Sequence, residues 1–340
     1  MKILAIETSF DETAAAVVED GTKIVTNVIA SSKEMHEKYG GVVPEIAARQ
    51  QLQSMIPVLT EAISGSGLEK RQGQTPLDTI DAIAVTIGPG LIGSLLVGVE
   101  TAKTIAMTTG KPIIPVNHVL AHMYANFVDN NKVEFPAISL VVSGAHTELY
   151  LMKSMKDLQW LGGTIDDAAG ECFDKTARLL GFGYGGGMAI EKTASKHGNV
   201  KISLPRPLMD ESFNFSFSGL KTAVMREWKK HVHTSDVKEV RTSEVVRRAF
   251  AYEIQESITD VLVKKTLRAA KKFNTKSILL SGGVAANQRL REKFPLPIHA
   301  PLPALCTDNA VIIASYAYFR GEKSTWRDIT ATPDLSVEIN

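Results

Sequence analysis

The chain opens on the stretch Lys2-Ile3-Leu4-Ala5-Ile6-Glu7-Thr8, whose alternating residues predict a β-strand. A polar turn from Ser9 to Thr13 follows. Ala14 to Glu19 predicts a returning strand that ends at the hairpin turn Asp20-Gly21. Thr22 to Ala30 predicts a third strand. The start of the chain therefore predicts a sheet of three consecutive strands.

The same order of segments recurs in the middle of the chain. Pro136 to Val142 predicts a strand, Ser143 to His146 a tight turn, and Thr147 to Met152 a returning strand, with a third strand near Leu158 to Gly162. Helical segments follow both rounds, although the two rounds share little sequence identity. Two rounds of three strands followed by helices predict a duplicated α/β fold with two similar lobes and a cleft between them.

Hydrophobic periodicity predicts the other elements. Spacings of three and four residues indicate helices, and short buried runs indicate strands. The predicted helices are Pro44 to Ile63, Leu91 to Thr109, Asp166 to Leu180 and Ala310 to Arg320, and the predicted strands are Asp81 to Thr86, Pro112 to Val116 and Ser277 to Leu280. The polar segment from Ser64 to Leu77 predicts a loop.

The composition limits the class of protein. The chain has 340 residues, of which 44% are hydrophobic and 22% charged, and a formal net charge of +1. This length predicts a soluble globular protein of two lobes. No apolar run approaches the roughly 18 residues that cross a bilayer, and Glu7 interrupts the first apolar run, so we expect neither a membrane span nor a signal peptide. The two cysteines, Cys172 and Cys306, are typical of the reducing cytoplasm.

Two histidines, His118 and His122, lie four residues apart in a segment that predicts a helix capped by Asn117. At this spacing both rings can reach one metal ion, although a structural pair is an equally good interpretation. The zinc proteases carry a glutamate base beside the first histidine, whereas this chain has Val119. The pair therefore indicates a metal site without a hydrolytic base. Asp308 either caps the last predicted helix or supplies a third ligand, and two histidines with one carboxylate suit iron(II) or zinc.

Four glycine turns indicate where the backbone can approach a ligand closely. They are Ser143-Gly144-Ala145, Gly181 to Gly187, Ser218-Gly219 and Ser281-Gly282-Gly283. The first and the last follow strands, where open α/β sheets bind ligands, so we expect a nucleotide. None has the spacing of a P-loop or of a dinucleotide-binding fingerprint. The earlier turn Gly88-Pro89-Gly90 precedes a predicted helix and indicates an anion site, although packing of that helix explains its small residues equally well.

Charged side chains mark two further regions. Asp167, Glu171 and Asp174 lie on one side of a predicted helix, where Asp174 either faces solvent or points into the cleft and binds ribose hydroxyls. A basic and mostly helical stretch follows, which by itself is a weak indication of nucleic-acid binding. Its residues are Lys221, Arg226, Lys229, Lys230, Arg241, Arg247, Arg248, Lys264, Lys265, Arg268, Lys271 and Lys272.

Nine motifs in order give the chain a family resemblance over nearly its whole length. They are Glu7 to Thr13, Tyr39 to Glu45, Gly88 to Leu91, His118 with His122, Ser143 to Thr147, Asp166 to Glu171, Phe215 to Lys221, Ser281 to Asn287, and Cys306 to Asn309. The set resembles the bacterial TsaD family of tRNA N6-adenosine threonylcarbamoyltransferases, formerly described as O-sialoglycoprotein endopeptidases.

The resemblance implies both a fold and a reaction. The fold is the duplicated actin-like ATPase fold (ASKHA, RNase H-like), with two lobes around a nucleotide cleft. The reaction moves the threonylcarbamoyl group of threonylcarbamoyl-adenylate to N6 of adenosine 37 in tRNAs that read codons beginning with A, and releases AMP. The family uses one divalent metal ion per subunit, for which we expect iron(II), with zinc as the alternative. Its partners are a smaller TsaB-like paralogue and a TsaE-like P-loop ATPase, in the cytoplasm and away from membranes.

The resemblance also assigns site residues. The metal ligands would be His118, His122 and Asp308, and Asp11 and Glu12 would lie near the reacting carbonyl as catalytic residues. The residues that would bind the adenylate are Val141, Val142, Ser143, Gly144, Ala145, Asp174, Gly187, Glu191 and Asn287. We expect residues 1–115, completed by the C-terminal residues 309–340, to form one lobe. Residues 116–308 would form the other, with a helical insertion at 205–275.

The chain departs from the family pattern at six positions. They are Phe10 in place of cysteine, Leu120 and Ala121 in place of glutamate and glycine, Ala145 in place of the second glycine of Ser-Gly-Gly-His-Thr, and Gly185 and Met188 in place of prolines. Ala145 matters most, because its methyl group would crowd a ligand if φ is positive there.

Three other functions are alternatives to the transferase. A metalloprotease is disfavoured by Val119, and a kinase or ATPase of the same fold would consume ATP without partner proteins. A non-catalytic partner subunit is disfavoured because His118, His122 and Asp308 are all present.

Overall fold

The first three strands form one sheet with two later strands. In the computed structural model, β1 (Lys2–Glu7), β2 (Glu12–Glu19) and β3 (Lys23–Ser31) are antiparallel neighbours. β4 (Ala82–Gly88) pairs in parallel with β1, and β5 (Ile113–Asn117) pairs in parallel with β4. The strand order β3-β2-β1-β4-β5 places β1 at the centre, with the polar turn predicted at Ser9 to Thr13 at its carboxyl end.

Helices cover this sheet because β1, β2 and β4 are apolar and buried on both faces. α1 (Lys33–Glu37) is short, whereas α2 (Pro44–Ser64) and α3 (Ile92–Thr109) contribute Met55 and Val99 to a core that includes Leu4 of β1. α4 (His118–Tyr124) follows β5 directly. The alternate β1 residues Ile3 and Ala5 are also fully buried.

The second sheet repeats the arrangement of the first. β6 (Ala137–Val142) and β7 (Thr147–Met152) form an antiparallel hairpin, β8 (Leu158–Gly163) lies beyond β7, and β9 (Ser277–Ser281) pairs in parallel with β6. Its strand order, β8-β7-β6-β9, matches the first four strands of the other sheet. The duplication predicted from the strand pattern is therefore confirmed. The remaining helices are α5 (Ala169–Leu179), α6 (Gly186–Ala194), α7 (Ser218–His233), α8 (Glu244–Lys272), α9 (Gln288–Glu292) and α10 (Ala310–Phe319).

The structure describes residues 1–37, 39–66, 75–130, 132–183, 185–194, 201–233 and 244–337. The middle of the predicted loop, at 67–74, and the part of the predicted helical insertion that contains Arg241, at 234–243, lie outside these ranges. The chain divides into two compact units, one formed by Met1–Val133, Ser154–Leu158 and Ala300–Asn340, the other by Glu134–Lys153 and Gln159–His299.

The segment that carries the two histidines belongs to the first unit, whereas we expected it in the second lobe. Its helix α4 packs against α10, where the rings of Tyr124 and Tyr316 lie 5.1 Å apart. The hydroxyl of Ser315 also donates a hydrogen bond to the backbone oxygen of Tyr124 at 3.1 Å. These contacts bring the C-terminal helix to the histidine pair.

Asparagine side chains begin two of the helices in the first unit. Oδ1 of Asn117 accepts a hydrogen bond from the backbone N–H of Leu120 at 3.2 Å, as predicted for the cap of α4. Oδ1 of Asn309 accepts from the backbone N–H groups of Val311 and Ile312 at 3.0 and 3.2 Å. The alternative in which Asp308 caps α10 is therefore wrong, and its carboxylate is available for another contact.

Helix α5 begins at Ala169, three residues later than predicted. Asp166 does not join this helix because its carboxylate accepts hydrogen bonds from the backbone N–H groups of Phe217 and Ser218, at 2.8 and 3.2 Å. It also accepts from the hydroxyls of Ser216 and Ser218. Asp166, which the sequence predicted in the first turn of α5, thus stabilises the start of α7.

Two adjacent glycines after β9 provide a matched test of the backbone. At Gly282 φ is +87°, and an added Cβ would lie 2.4 Å from the carbonyl oxygen of Val142, whereas at Gly283 an added Cβ meets nothing within 4 Å. We expect Gly282→Ala to lower the free energy of unfolding by about 2–4 kcal/mol, because it combines a left-handed backbone with a steric clash. Gly283→Ala should change it by less than about 0.5 kcal/mol. Urea denaturation measures both, and equal stability of the two variants would contradict this account.

Candidate metal centre and ligand loops

The three predicted metal ligands come together in the first unit. His118 and His122 project from the same side of α4, with ring centroids 4.7 Å apart. One carboxylate oxygen of Asp308 lies 3.5 Å from Nε2 of His118 and 3.4 Å from Nε2 of His122. Each residue offers one ligand atom, and these three atoms all lie within 4.8 Å of one another. His122 and Asp308 are 186 residues apart in the chain, and the packing of α10 on α4 brings them together.

The chemistry of this cluster fits a divalent cation. His122 is almost completely buried, yet neither of its ring nitrogens has a hydrogen-bond partner among the described residues. Buried polar atoms are nearly always paired, so this pair of nitrogens indicates a missing partner. Two imidazoles and one carboxylate suit iron(II) or zinc and leave coordination positions open for a substrate.

The electrostatics of the cluster also favour a cation. Burial alone would raise the pKa of the Asp308 carboxyl, but the charge and hydrogen bonding of His118, together with the nearby ring of His122, hold that pKa well below its usual range. Burial would lower the pKa of His118, but the charges of Glu7 and Asp308 raise it well above its usual value. Without a metal, a proton on His118 compensates the surrounding carboxylates. A divalent cation at the same place would supply that positive charge.

A buried glutamate behind His118 was not assigned from the sequence. Glu7 is fully buried at the end of β1, and one of its carboxylate oxygens lies 3.2 Å from Nδ1 of His118. Two hydroxyls also contact this pair. The hydroxyl of Thr86 donates a hydrogen bond to the Glu7 carboxylate, and Oγ of Ser9 lies 3.2 Å from Nδ1 of His118. The only signal in the sequence was a carboxylate inside an otherwise apolar strand.

The two predicted catalytic carboxylates lie on the turn and strand that follow β1. Asp11 is buried, and its backbone oxygen accepts hydrogen bonds from the N–H and the hydroxyl of Ser32 at 3.0 and 2.9 Å. Burial raises the pKa of Glu12 to about 10, with further contributions from a hydrogen bond with Asp11 and from the charge of Asp308. Glu12 is therefore protonated at neutral pH in the metal-free protein. It shares the electrostatic environment of the metal ligands.

The turn Gly88-Pro89-Gly90 does not offer its backbone amides to an anion. The N–H of Gly90 donates to the carbonyl of Pro333 at 3.1 Å, and that of Leu91 donates to the carbonyl of Ser9 at 2.9 Å. An added Cβ at Gly90 would lie 2.5 Å from the same carbonyl of Ser9. Close backbone packing, the alternative considered for this turn, therefore explains the glycine, and the N–H groups of Gly90 and Leu91 are already paired.

In the second unit, the predicted adenylate residues Val141 to Ala145 occupy the end of β6 and the turn that follows. The backbone N–H of Ser143 donates to the carbonyl of His146 at 2.8 Å, and the Ser143 hydroxyl accepts from the N–H of His146 at 3.1 Å. Gly144 and Ala145 form the exposed tip. Among the described residues, positive φ outside glycine occurs only at Asp20, Leu208 and Asn274. The backbone crowding considered for Ala145 therefore does not arise.

A series of contacts links this turn to the other predicted adenylate residues. The carbonyl of Ser143 accepts a hydrogen bond from the N–H of Gly170 in α5 at 3.1 Å. Asp174, also in α5, lies next to Gly186 of α6. A Cβ added at Gly186 would be 3.0 Å from one carboxylate oxygen of Asp174. Gly187, the adenylate residue predicted in this loop, is the next residue of α6.

The series continues through α6 to α9. Oε1 of Glu191 accepts a hydrogen bond from the N–H of Gln288 at 2.7 Å. Oδ1 of Asn287 accepts from the N–H of Leu290 at 2.9 Å, and its Nδ2 donates to Gln255 in α8 at 3.0 Å. The β6 turn, α5, α6 and the start of α9 thus form one connected surface, which carries the predicted adenylate residues except Val141 and Val142, buried in β6.

The departures in the glycine loop have a backbone explanation. At Gly185 φ is +80°, a conformation that proline cannot adopt because its ring fixes φ near −65°. Met188 is 66% exposed, so its side chain does not contribute to the packing of α6. The loop before α6 therefore follows a path that a proline at position 185 would forbid.

Comparisons with solved structures show the fold. The chain matches component A of (R)-2-hydroxyglutaryl-CoA dehydratase from Acidaminococcus fermentans with a TM-score of 0.52 and 14% identity, covering 93% of this chain and 96% of that one. It matches full-length HypF in its phosphate- and nucleotide-bound form with a TM-score of 0.56 and 12% identity, covering 94% of this chain and 46% of that one. The predicted actin-like ATPase fold class is confirmed.

Comparisons of sequence show the family. Curated relatives named tRNA N6-adenosine threonylcarbamoyltransferase include one from Thermomicrobium roseum, 46% identical over 363 aligned positions, covering 100% of this chain and 96% of the relative. Another, from Dehalococcoides mccartyi, is 48% identical over 343 positions and covers 99% of both chains. Within the described ranges, no helix has both the length and the apolar character of a membrane span. The family described as "TsaD: tRNA N6-adenosine threonylcarbamoyltransferase" matches residues 23–315, and the chain belongs to this family of acyltransferases.

Proposed function

We propose that the chain transfers the threonylcarbamoyl group of threonylcarbamoyl-adenylate to N6 of adenosine 37 in tRNAs that read codons beginning with A. The observation that carries this proposal is the convergence of His118, His122 and Asp308 in a chain of the TsaD family. Family membership supports the transfer to a tRNA adenosine. The adenylate donor, the release of AMP and the role of the metal are the steps that we add.

In this proposal His118, His122 and Asp308 bind one iron(II) ion, with zinc as the alternative. When bound, the metal supplies Lewis-acid polarisation and a template for the threonylcarbamoyl end of the donor. The ring nitrogens of His122, neither of which is hydrogen-bonded among the described residues, support a metal at this place. The burial of the two histidines limits the access of water, which strengthens electrostatic interactions with a reacting group.

The connected surface of the second unit would bind the AMP part of the donor. Gly144 and Ala145 form an exposed turn that a ligand can approach, and Asp174 of α5, beside the start of α6, can accept hydrogen bonds from ribose hydroxyls. The other residues in this role are Val141, Val142, Ser143, Gly187, Glu191 and Asn287. These groups bind and orient the donor, and positioning of this kind accounts for a large share of transfer rates.

The transfer step moves one acyl group and one proton. The N6 amine of adenosine forms a bond to the carbamoyl carbon, and the bond between that carbon and the phosphate oxygen breaks, with AMP as the leaving group. The amine loses one proton; Asp11 is the proposed acceptor, and Glu12 can take this role only in its ionised form. An adenine amine is a weak nucleophile, so we expect orientation and charge stabilisation to outweigh proton abstraction. We therefore expect proton transfer to Asp11 or Glu12 to occur late in the reaction.

The proposed partners are a tRNA, a TsaB-like paralogue and a TsaE-like P-loop ATPase, and the proposed location is the cytoplasm. The family description names a tRNA adenosine as the acceptor, which supports the first of these. The basic residues of α7 and α8, such as Arg226, Lys229 and Lys271, are available for phosphate contacts on such an acceptor.

Removal of one proposed metal ligand tests the reaction. We expect His118→Ala to lower the rate of modified adenosine formation and AMP release by at least about 100-fold, since the ligand set is left incomplete. The assay uses threonylcarbamoyl-adenylate, an unmodified tRNA transcript, the full chain and the partner proteins. The control is His231→Ala, which removes a histidine of α7 in the second unit. Full activity of His118→Ala with intact folding would contradict the proposal.

Two carboxylate variants separate binding from chemistry. We expect Asp174→Asn to raise KM for threonylcarbamoyl-adenylate about 10-fold with little change in kcat, because a hydrogen bond to a charged group contributes roughly 1.5–3 kcal/mol. Asp11→Asn should lower kcat by about 10-fold or more with little change in KM, because it removes a proton acceptor. Steady-state kinetics with saturating tRNA measures both. The reverse pattern would overturn the two assignments.

A further inference from the structure

We propose that Glu7 is a positioning residue for the metal centre, which fixes the ring of His118 so that its Nε2 atom is the one presented to the metal. This inference rests on the proposed metal centre and adds a residue to it. Glu7 itself is not proposed as a ligand. Its action on the metal passes through His118.

The contacts of Glu7 orient its carboxylate towards the histidine ring. One oxygen accepts a hydrogen bond from the backbone N–H of Ser9 at 2.5 Å. The other accepts from the hydroxyl of Thr86 and lies 3.2 Å from Nδ1 of His118. Glu7 is fully buried, so every one of these contacts is shielded from water. Both oxygens are therefore held in place by groups that do not belong to α4.

This arrangement determines which ring nitrogen of His118 can bind a metal. A carboxylate only accepts hydrogen bonds, so the hydrogen between Glu7 and His118 is carried by Nδ1. A metal ligand must offer a lone pair, which in a neutral imidazole with hydrogen on Nδ1 is on Nε2. Nε2 of His118 is the atom that lies 3.5 Å from Asp308, on the side of the ligand cluster. Carboxylates in this position also increase the basicity of the histidine.

The second histidine lacks such a support. Among the described residues, Nδ1 of His122 has no hydrogen-bond partner. The two ligands of α4 are thus unequal: His118 is anchored to the sheet, whereas, in the described part of the chain, the ring nitrogens of His122 contact only Asp308, through Nε2 at 3.4 Å. Loss of Glu7 should therefore act on one of the two histidine ligands and weaken the site without abolishing it.

The anchor lies at the carboxyl ends of two paired strands of the first sheet. Glu7 ends the central strand β1, and Thr86 lies near the end of β4, its parallel neighbour. Metal sites require their ligands to be fixed closely, and groups on strands achieve this better than groups on loops. The chain therefore uses the carboxyl ends of two strands to orient a ligand that begins a short helix.

The test is the affinity of the metal-free full-length chain for Co²⁺, followed by its visible absorption bands. We expect Glu7→Gln to weaken binding 10–100-fold, the range typical for loss of such a partner, with altered bands. Thr86→Val, which removes the hydroxyl that holds Glu7, should weaken binding less but in the same direction. The matched controls are Glu148→Gln, a partly buried glutamate on β7, and Thr176→Val, a buried threonine of α5, and neither should change affinity or bands.

His118→Ala separates this inference from the proposed metal centre. If His118→Ala binds Co²⁺ as tightly as the unmodified chain, the metal centre itself is wrong. If His118→Ala loses binding while Glu7→Gln keeps both affinity and bands, only the role of Glu7 is overturned. Should Glu7→Gln fail to fold, Thr86→Val decides, and unchanged affinity in that variant overturns the inference.

Discussion

The carboxylate of Asp308 lies against the imidazoles of His118 and His122, and the arrangement of the first unit depends on this contact. It joins a residue near the end of the chain to a helix that follows the fifth strand of the first sheet. Two buried histidines and a partly buried aspartate at this separation carry a large electrostatic cost unless their charges are balanced. A proton on His118 balances them in the metal-free protein, and a divalent cation can replace it. The site is therefore built as a place for positive charge.

The placement of the ligands follows from the order of elements. The cap at Asn117 starts α4 directly after β5, and the cap at Asn309 starts α10, so that each ligand lies within a few residues of a fixed helix end. The packing of Tyr124 on Tyr316 then aligns the two helices. The activity of the family, transfer of an acyl group to a tRNA adenosine, is compatible with such a preorganised site because positioning contributes much of the rate.

Much of this could be predicted from the sequence, and the exceptions have physical reasons. The strand rounds and the spacing of His118 and His122 depend on local periodicity, which sequence patterns report well. Asp166 was wrongly placed in the first turn of α5 because its partners, Ser216 to Ser218, are about 50 residues away in the chain. Glu7 received no role because a single glutamate in an apolar strand resembles a strand end. Long-range hydrogen bonds determine the position of Asp166 and the role of Glu7, and sequence periodicity carries no information about such bonds.

The predicted adenylate residues could likewise be obtained from the sequence only in part. Glycine turns predicted where the backbone could approach a ligand, but the contacts from Ser143 to Gly170 and from Glu191 to Gln288 required the folded chain. The backbone angle at Gly185 explains a departure from the family pattern that the sequence alone left without a reason. The sign of φ at Ala145 likewise could not be obtained from residue types.

The central claim is that His118, His122 and Asp308 form a metal centre, and X-ray absorption spectroscopy of the iron- or zinc-loaded chain tests it most directly. The account predicts a coordination shell of nitrogen and oxygen only, with scattering from two imidazoles that falls to one in His118→Ala. Sulfur in the shell would implicate Cys172 or Cys306 and contradict the account. So would an imidazole count that His118→Ala leaves unchanged.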